Sequence, residues 1–319
     1  MIYYSMIFAF IFVFIVTALG TVVLNVVFSY LGKRGMMGNL YPNVRGGIPR
    51  GLGIVPTVIL LFYFLPGYND LILIIGACAF IDDIMGRKKI SALGIEWGQL
   101  LRGIGMILVM VLGFLQGLGV ASIFIALFVQ PLNISDMQPG SACMVTLIMS
   151  MLTVIVMFFI GSADVYELPA IYTPLLLFVV CLAYSPLDFS GKIMLGEVGN
   201  HVFAVALAIS FYLIGGIGWL ILFEFLTAAL IAFVRRNTLR VFFRHRLNII
   251  DPTFGDFVMD VLTGGGLGDL LRKFLLKDRQ YIVNSPILIS LGFRRLLYNP
   301  YANYPDGFNR NGPPKLRLG

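Results

Sequence analysis

Apolar runs leave this chain few ways to fold. From Tyr3 to Val234 they recur at lengths near or beyond the ~20 residues a helix needs to cross a bilayer. Lipid offers no partner to an unpaired backbone N–H or C=O, so such runs are expected as helices. Composition agrees: 59% of residues are hydrophobic and 12% charged, with a mean hydropathy of +0.91, where a soluble chain carries roughly a quarter charged residues. The expected fold is all-α, a polytopic transmembrane helical bundle of about 8–10 spans.

Spans are expected near 6–31, 52–66, 68–81, 99–117, 143–160, 168–184, 199–215 and 217–234. The first has no basic flank before it and is long for a signal-peptide core, which favours a retained span. VASIFIALFV, 120–129, reads either as interfacial or as part of a tilted hairpin. Two regions are expected: 1–234 in the membrane, and 235–319, where charges, glycines and short amphipathic stretches take over. DLLRKFLLKDRQ, 269–280, reads as a helix lying on the membrane surface. The three cysteines, Cys78, Cys143 and Cys181, lie far apart and suggest neither a zinc site nor a disulfide framework.

The net charge of +7 is unevenly spread. Lys33, Arg34, Arg45 and Arg50 share one loop, and Arg87, Lys88 and Lys89 another. Arg235, Arg236, Arg240, Arg244 and Arg246 open the C-terminal region, and Leu118–Ala142 has no basic residue. By the positive-inside rule the basic loops share the cytoplasmic side of the plasma membrane and the N-terminus lies outside. Basic residues beside spans need no nucleic acid to explain them, and none is expected as a partner.

Four polar constellations interrupt the apolar pattern. In AFIDDIMGRKK, Asp82 and Asp83 end a helical run where the helix dipole already places partial negative charge. A solvated cap would explain them, and so would a bound cation, since magnesium takes one or two carboxylates with phosphate oxygens and water. In KIMLGEVGNHVF, Glu197 lies between Gly196 and Gly199, either as a favourable first-turn acid or as a metal ligand. In FFIGSADVYELPA, Asp164 and Glu167 are spaced to share one side of a helix, or simply form a polar connection. In VRGGIPRGLGIVP, glycines around Pro49 and Arg50 form a tight turn, or admit a phosphate with Arg50 as its counter-charge. His201 reads as a packed residue; His245, in a basic loop, is solvated or contacts an anionic headgroup or pyrophosphate.

The order GGIPRGLGI, FIDD, GSADVYELPA, KIMLGEVGN resembles the polyprenyl-phosphate N-acetylhexosamine-1-phosphate transferases, the family that includes phospho-N-acetylmuramoyl-pentapeptide transferase and glycosyl transferase family 4. That family has a Pro-Thr-x-Gly-Gly-like first loop, an Asp-Asp pair ending the third span, an Asn-x-x-Asp loop and a Gly-Asp-x-Gly-Ser turn. The matching positions are Pro49, Gly51 and Gly53, then Asp82 and Asp83, Asp164, and Gly196, Glu197 and Gly199. The resemblance implies a cytoplasmic-face active site that moves a sugar 1-phosphate from a UDP-sugar to polyprenyl phosphate, releasing UMP and requiring magnesium. It implies catalytic roles for Asp82, as a base toward the lipid phosphate, and for Asp83, supporting it or the metal. Glu197 with Asp83 would hold the magnesium, and Arg50, Asp164, Glu167, Asn200 and His245 would bind substrate. A homodimer belongs to the same expectation. The chain departs from the pattern at Glu197 for Asp, Gly161 for the loop Asn, and Asn200 for Ser. A catalytically silent homologue that binds prenyl phosphate or nucleotide-sugar is the rival expectation. A transporter fits less well, because the acids cluster at span ends. If both Asp164 and Glu197 face the cytoplasm, 168–184 must dip and return or be unusually short.

Overall fold

The computed structural model describes residues 2–44, 46–86, 88–90, 95–160, 168–247, 249–277 and 279–299. The chain forms two compact units, Met1–Glu224 and Phe225–Gly319.

The first unit is a helical membrane bundle. Its helices are α1 (Ile2–Lys33), α2 (Ile54–Tyr63), α3 (Asn69–Met85), α4 (Trp97–Gly113), α5 (Ala121–Leu127), α6 (Val129–Ser135), α7 (Ser141–Ile160), α8 (Leu168–Phe189) and α9 (Gly196–Gly215), followed by the start of α10 (Ile217–Val234). A π-helical turn, Phe114–Leu118, prolongs α4. Among the described residues the only strands are the two-residue pair Lys89–Ile90 and Ile95–Glu96. Among the described residues six helices are long and apolar enough to cross a membrane; α2 and the α5–α6 pair are shorter apolar helices. The stretch 120–129 is split between α5 and α6. Helix α8 runs 22 residues through Pro174 and Pro186, longer than the expected 168–184.

Helix α9 is the axis of this unit. Every residue from Val198 to Phe211 is buried, with α2, α3, α5, α6, α7 and α8 packed around it. Its small residues let neighbouring backbones come close, which is how helices gain packing energy in lipid. Several buried hydroxyls are satisfied within their own helices: Thr17, Thr57, Thr153 and Ser210 each donate to the carbonyl four residues back. Helix α1 instead exposes most of its apolar surface, including Phe8, Leu19 and Val26, as a lipid-facing helix does.

The second unit contains the rest of α10, then α11 (Arg236–Phe242), α12 (Phe254–Thr263), α13 (Gly265–Leu276), α14 (Pro286–Ser290) and α15 (Phe293–Leu296). Thr253 and Asp256 form a capping box at the start of α12, each side chain satisfying the other's backbone N–H. Phe243, Phe257, Val258 and Val261 are buried, with Phe243 and Phe257 in edge contact at 5.4 Å. Arg294 pairs with Asp256, and Arg295 with Asp260, all buried.

Candidate functional site

The site is built where two loops clasp the start of α9. Pro49 to Gly53 runs beside Met194 and Leu195: Met194 N–H donates to the Pro49 carbonyl at 2.9 Å and Gly53 N–H to the Leu195 carbonyl at 3.0 Å. Arg50 and Met194 form an isolated parallel bridge. Gly196 has φ +76°, and a Cβ there would come within 2.7 Å of the Gly51 Cα and 2.6 Å of Asp83 Oδ2. Glycine is required here both for the left-handed backbone and for space.

Asp83, at the end of α3, is directed at this helix start. Its Oδ1 accepts the Glu197 N–H and its Oδ2 the Val198 N–H, both at 3.0 Å. Arg50 Nε lies 3.0 Å from the same Oδ1. An anion at a helix N-terminus satisfies orphan donors and complements the dipole, which accounts for a fully buried carboxylate here. The acid that sits badly at the end of α3 thus sits well at the beginning of α9.

Glu197 reaches outward from the first turn of α9 and gathers partners. Arg50 Nη2 is 3.4 Å from its Oε1, and Arg102 Nη2 is 2.9 Å from its Oε2. His201 Nε2, one turn on and fully buried, lies 3.2 Å from Oε2. With its amide turned to satisfy both neighbours, Asn133 donates to Glu197 Oε2 at 2.7 Å and accepts from Arg102 Nη1 at 3.0 Å. Asp82 packs on Gly98 at the start of α4, where a Cβ would collide with its carboxylate. Arg102 stands one turn along α4 from Gly98, so one face of that helix carries both Asp82 and the guanidinium that holds Glu197. Asp82 is within electrostatic reach of Glu197, Arg102, Arg50 and Glu96.

Of the residues expected from sequence, Arg50, Asp82, Asp83 and Glu197 come together. Asn200 is nearby but turned away from open space: it is buried, and its Nδ2 donates to Asp136 Oδ2 at 2.8 Å. Asp164 and Glu167 lie outside the described residues, as does Gly161. His245 is exposed in the second unit. Arg102, Asn133 and Asp136 were not anticipated. Burial pushes the Asp136 carboxyl well above the ordinary carboxylate range; the Asn200 amide lowers it, and the carboxylates of Asp188, Glu197 and Asp83 raise it further.

The donors suit magnesium only in part. Among the described residues no group of three His, Cys, Asp or Glu side chains is arranged to hold a metal. Asp82 supplies one carboxylate to an ion that also takes phosphate oxygens and water; Glu197 would supply a second only by releasing Arg50, Arg102 and Asn133 from its two oxygens. Asp83 does not fit the metal role expected of it, because its oxygens are taken by two backbone N–H groups and Arg50. Its role is to fix the helix that carries Glu197.

Compared with known proteins, the chain matches no family model and no curated protein.

Proposed function

We propose that the site transfers a sugar 1-phosphate from a UDP-sugar to polyprenyl phosphate, in the manner of the transferases that its motif order resembles. The observation that carries this reading is the convergence of Arg50, Asp82, Asp83 and Glu197, drawn from three distant segments, at one end of the bundle. Support also comes from an Asn-x-x-Asp segment, Asn133 to Asp136, that meets the same cluster through Glu197 and Asn200. In this reading it shares the nucleotide-loop role expected of Asp164. Two full helices, α7 and α8, separate Asp136 from Glu197, which supports reading both acids on one membrane side.

Phosphoryl transfer needs positioning and charge neutralisation more than covalent chemistry. In this reading the lipid phosphate oxygen attacks the sugar-bearing phosphorus, and the bond to the UMP oxygen breaks. Asp82 orients the lipid phosphate and accepts its proton where one is present. Arg50 and Arg102 neutralise the pyrophosphate, and Asn133 keeps Arg102 aligned. Magnesium held by Asp82, with Glu197 joining it once the pyrophosphate draws Arg50 and Arg102 away, would add positive charge to the same phosphates. The basic residues Lys33, Arg34 and Arg50 belong to the loop beside the site, which supports reading this face as cytoplasmic and the N-terminus as outside.

A second reading, binding of the same ligands without turnover, is favoured by one observation: both arginines are already engaged by Asp83 and Glu197. Membranes containing the protein, incubated with labelled UDP-N-acetylglucosamine, undecaprenyl phosphate and magnesium, separate the two. Lipid-linked product and UMP are expected, falling about a hundredfold or more in Asp82→Asn. Ligand binding without product across several UDP-sugars would replace transfer with the second reading.

A further inference from the structure

The second unit sorts its charges by sign. Its described acids Asp256, Asp260 and Asp269 pair with Arg294, Arg295 and Arg272, leaving Asp251 as the one exposed acid among its described residues. Of the remaining described bases Arg235 is buried, and the others point outward. Arg236, Arg240, Arg244 and Arg246 are exposed immediately after α10, and Arg236 stacks over Phe233 at 4.7 Å. Lys273, Lys277 and Arg279 are exposed along and just beyond α13. Internal ion pairs therefore consume the negative charge that would otherwise offset this surface.

Large apolar side chains share that exterior. Phe274 is 79% exposed and Ile287 71%, and Leu271, Leu275 and Ile282 are exposed too. The unit has its own buried core around Phe243, Phe257 and Val261, and these groups lie outside it. A polyanion in solution would satisfy the cations and leave the apolar groups in water. An anionic bilayer satisfies both, since acyl chains take the apolar side chains and headgroups take the bases. The unit also contains the end of α10, a helix apolar and long enough to span, so it is tethered within reach of such a surface.

We propose that α13, α14 and the basic stretch after α10 form one surface that lies on an anionic membrane leaflet. Phe274, Leu275 and Ile287 enter the headgroup–acyl boundary, while Arg240, Arg244 and Lys277 hold acidic lipid headgroups. The proposal stands independently of sugar-phosphate transfer.

The test uses the full chain in bilayer nanodiscs, with Phe274→Trp as a reporter read against the emission of Trp97 and Trp219. Ile287→Trp repeats the measurement on the neighbouring helix. In nanodiscs of equal parts phosphatidylcholine and phosphatidylglycerol, lipids brominated near the headgroup should roughly halve the added emission. Aqueous iodide should leave it nearly unchanged. The bromine effect should weaken in pure phosphatidylcholine, at high salt, and in the double variant Arg240→Glu, Arg244→Glu. Added emission quenched by iodide and untouched by bromine overturns the proposal. So does a response to RNA without bromine quenching, which would make a soluble polyanion the partner. Shielding from both quenchers that disappears on dilution of the protein would assign the surface to a second copy, and the proposal would fail there too.

Discussion

Asp83 closes the amino end of the helix that carries Glu197, accepting the Glu197 N–H at 3.0 Å across 114 positions of sequence. Removing it strands two helix-start donors and leaves Arg50 without its nearest counter-charge. Breaking a buried pair in this way costs about 3–5 kcal/mol. Asp83→Ala should therefore lose stability on that scale, and Asp83→Asn less, because its carbonyl oxygen still accepts one N–H. Chemical unfolding of the detergent-solubilised protein measures both. A melt unchanged in Asp83→Ala would refute the capping role.

Gly53 lies against α9 so closely that an added Cβ would sit 2.5 Å from the Gly199 Cα and the Leu195 carbonyl oxygen. Backbone cannot yield as a side chain can, so Gly53→Ala should force the first loop off α9 and cost more than about 3 kcal/mol. Gly103 on α4 has open space around its missing Cβ. Gly103→Ala should be neutral or gain up to about 1 kcal/mol of helix propensity. Thermal unfolding of the pair provides an internally controlled comparison.

The bundle was legible because lipid constrains backbone and composition together. The expected 143–160 and 217–234 reappear as Ser141–Ile160 and Ile217–Val234. Others shift: 168–184 extends in the structure through Pro186 to Phe189, and 52–66 contracts to the ten residues of α2. Within the site, Arg50 and the acids announced themselves by interrupting apolar runs. Arg102 did not, since one base near the start of an apolar helix reads as an ordinary flank. Asn133 and Asp136 were passed over because their segment has no basic residue and its helix is short. The signal was the Asn-x-x-Asp spacing in NISD, which becomes informative only once α6 is seen against α9.

Glu197 uses its full length. From α9 it reaches Arg50, Arg102, His201 and Asn133. Glu197→Asp withdraws the carboxylate by about 1.5 Å, enough to break the 2.9 Å contact with Arg102. Although aspartate is the residue of the transferases that the motifs resemble, the substitution should lower stability by about 1–3 kcal/mol and product formation with it. A compensating substitution that lengthens the opposite side does not exist for arginine, so Arg102→Lys should fail to rescue it. Full activity in Glu197→Asp would show that the arginine contact is dispensable.

Asp136 gives the site a pH dependence whose sign follows from its surroundings. Burial, with Asp188, Glu197 and Asp83 adding, holds its carboxyl well above the ordinary range, against the pull of the Asn200 amide. Above about pH 4 the unfolded chain releases this proton while the folded chain keeps it. The native state then binds more protons, so stability falls as pH rises, by up to about 1.4 kcal/mol per unit, until the folded group also ionises. Asp136→Asn cannot titrate and keeps an oxygen to accept from Asn200 at the same place. The stability difference, variant minus wild type, should therefore grow from about pH 5 to about pH 8. Unfolding curves of the two proteins across that range test it. A difference that stays flat would mean that Asp136 is ionised in the folded protein throughout, and that a cation or a donor of its own neutralises it there.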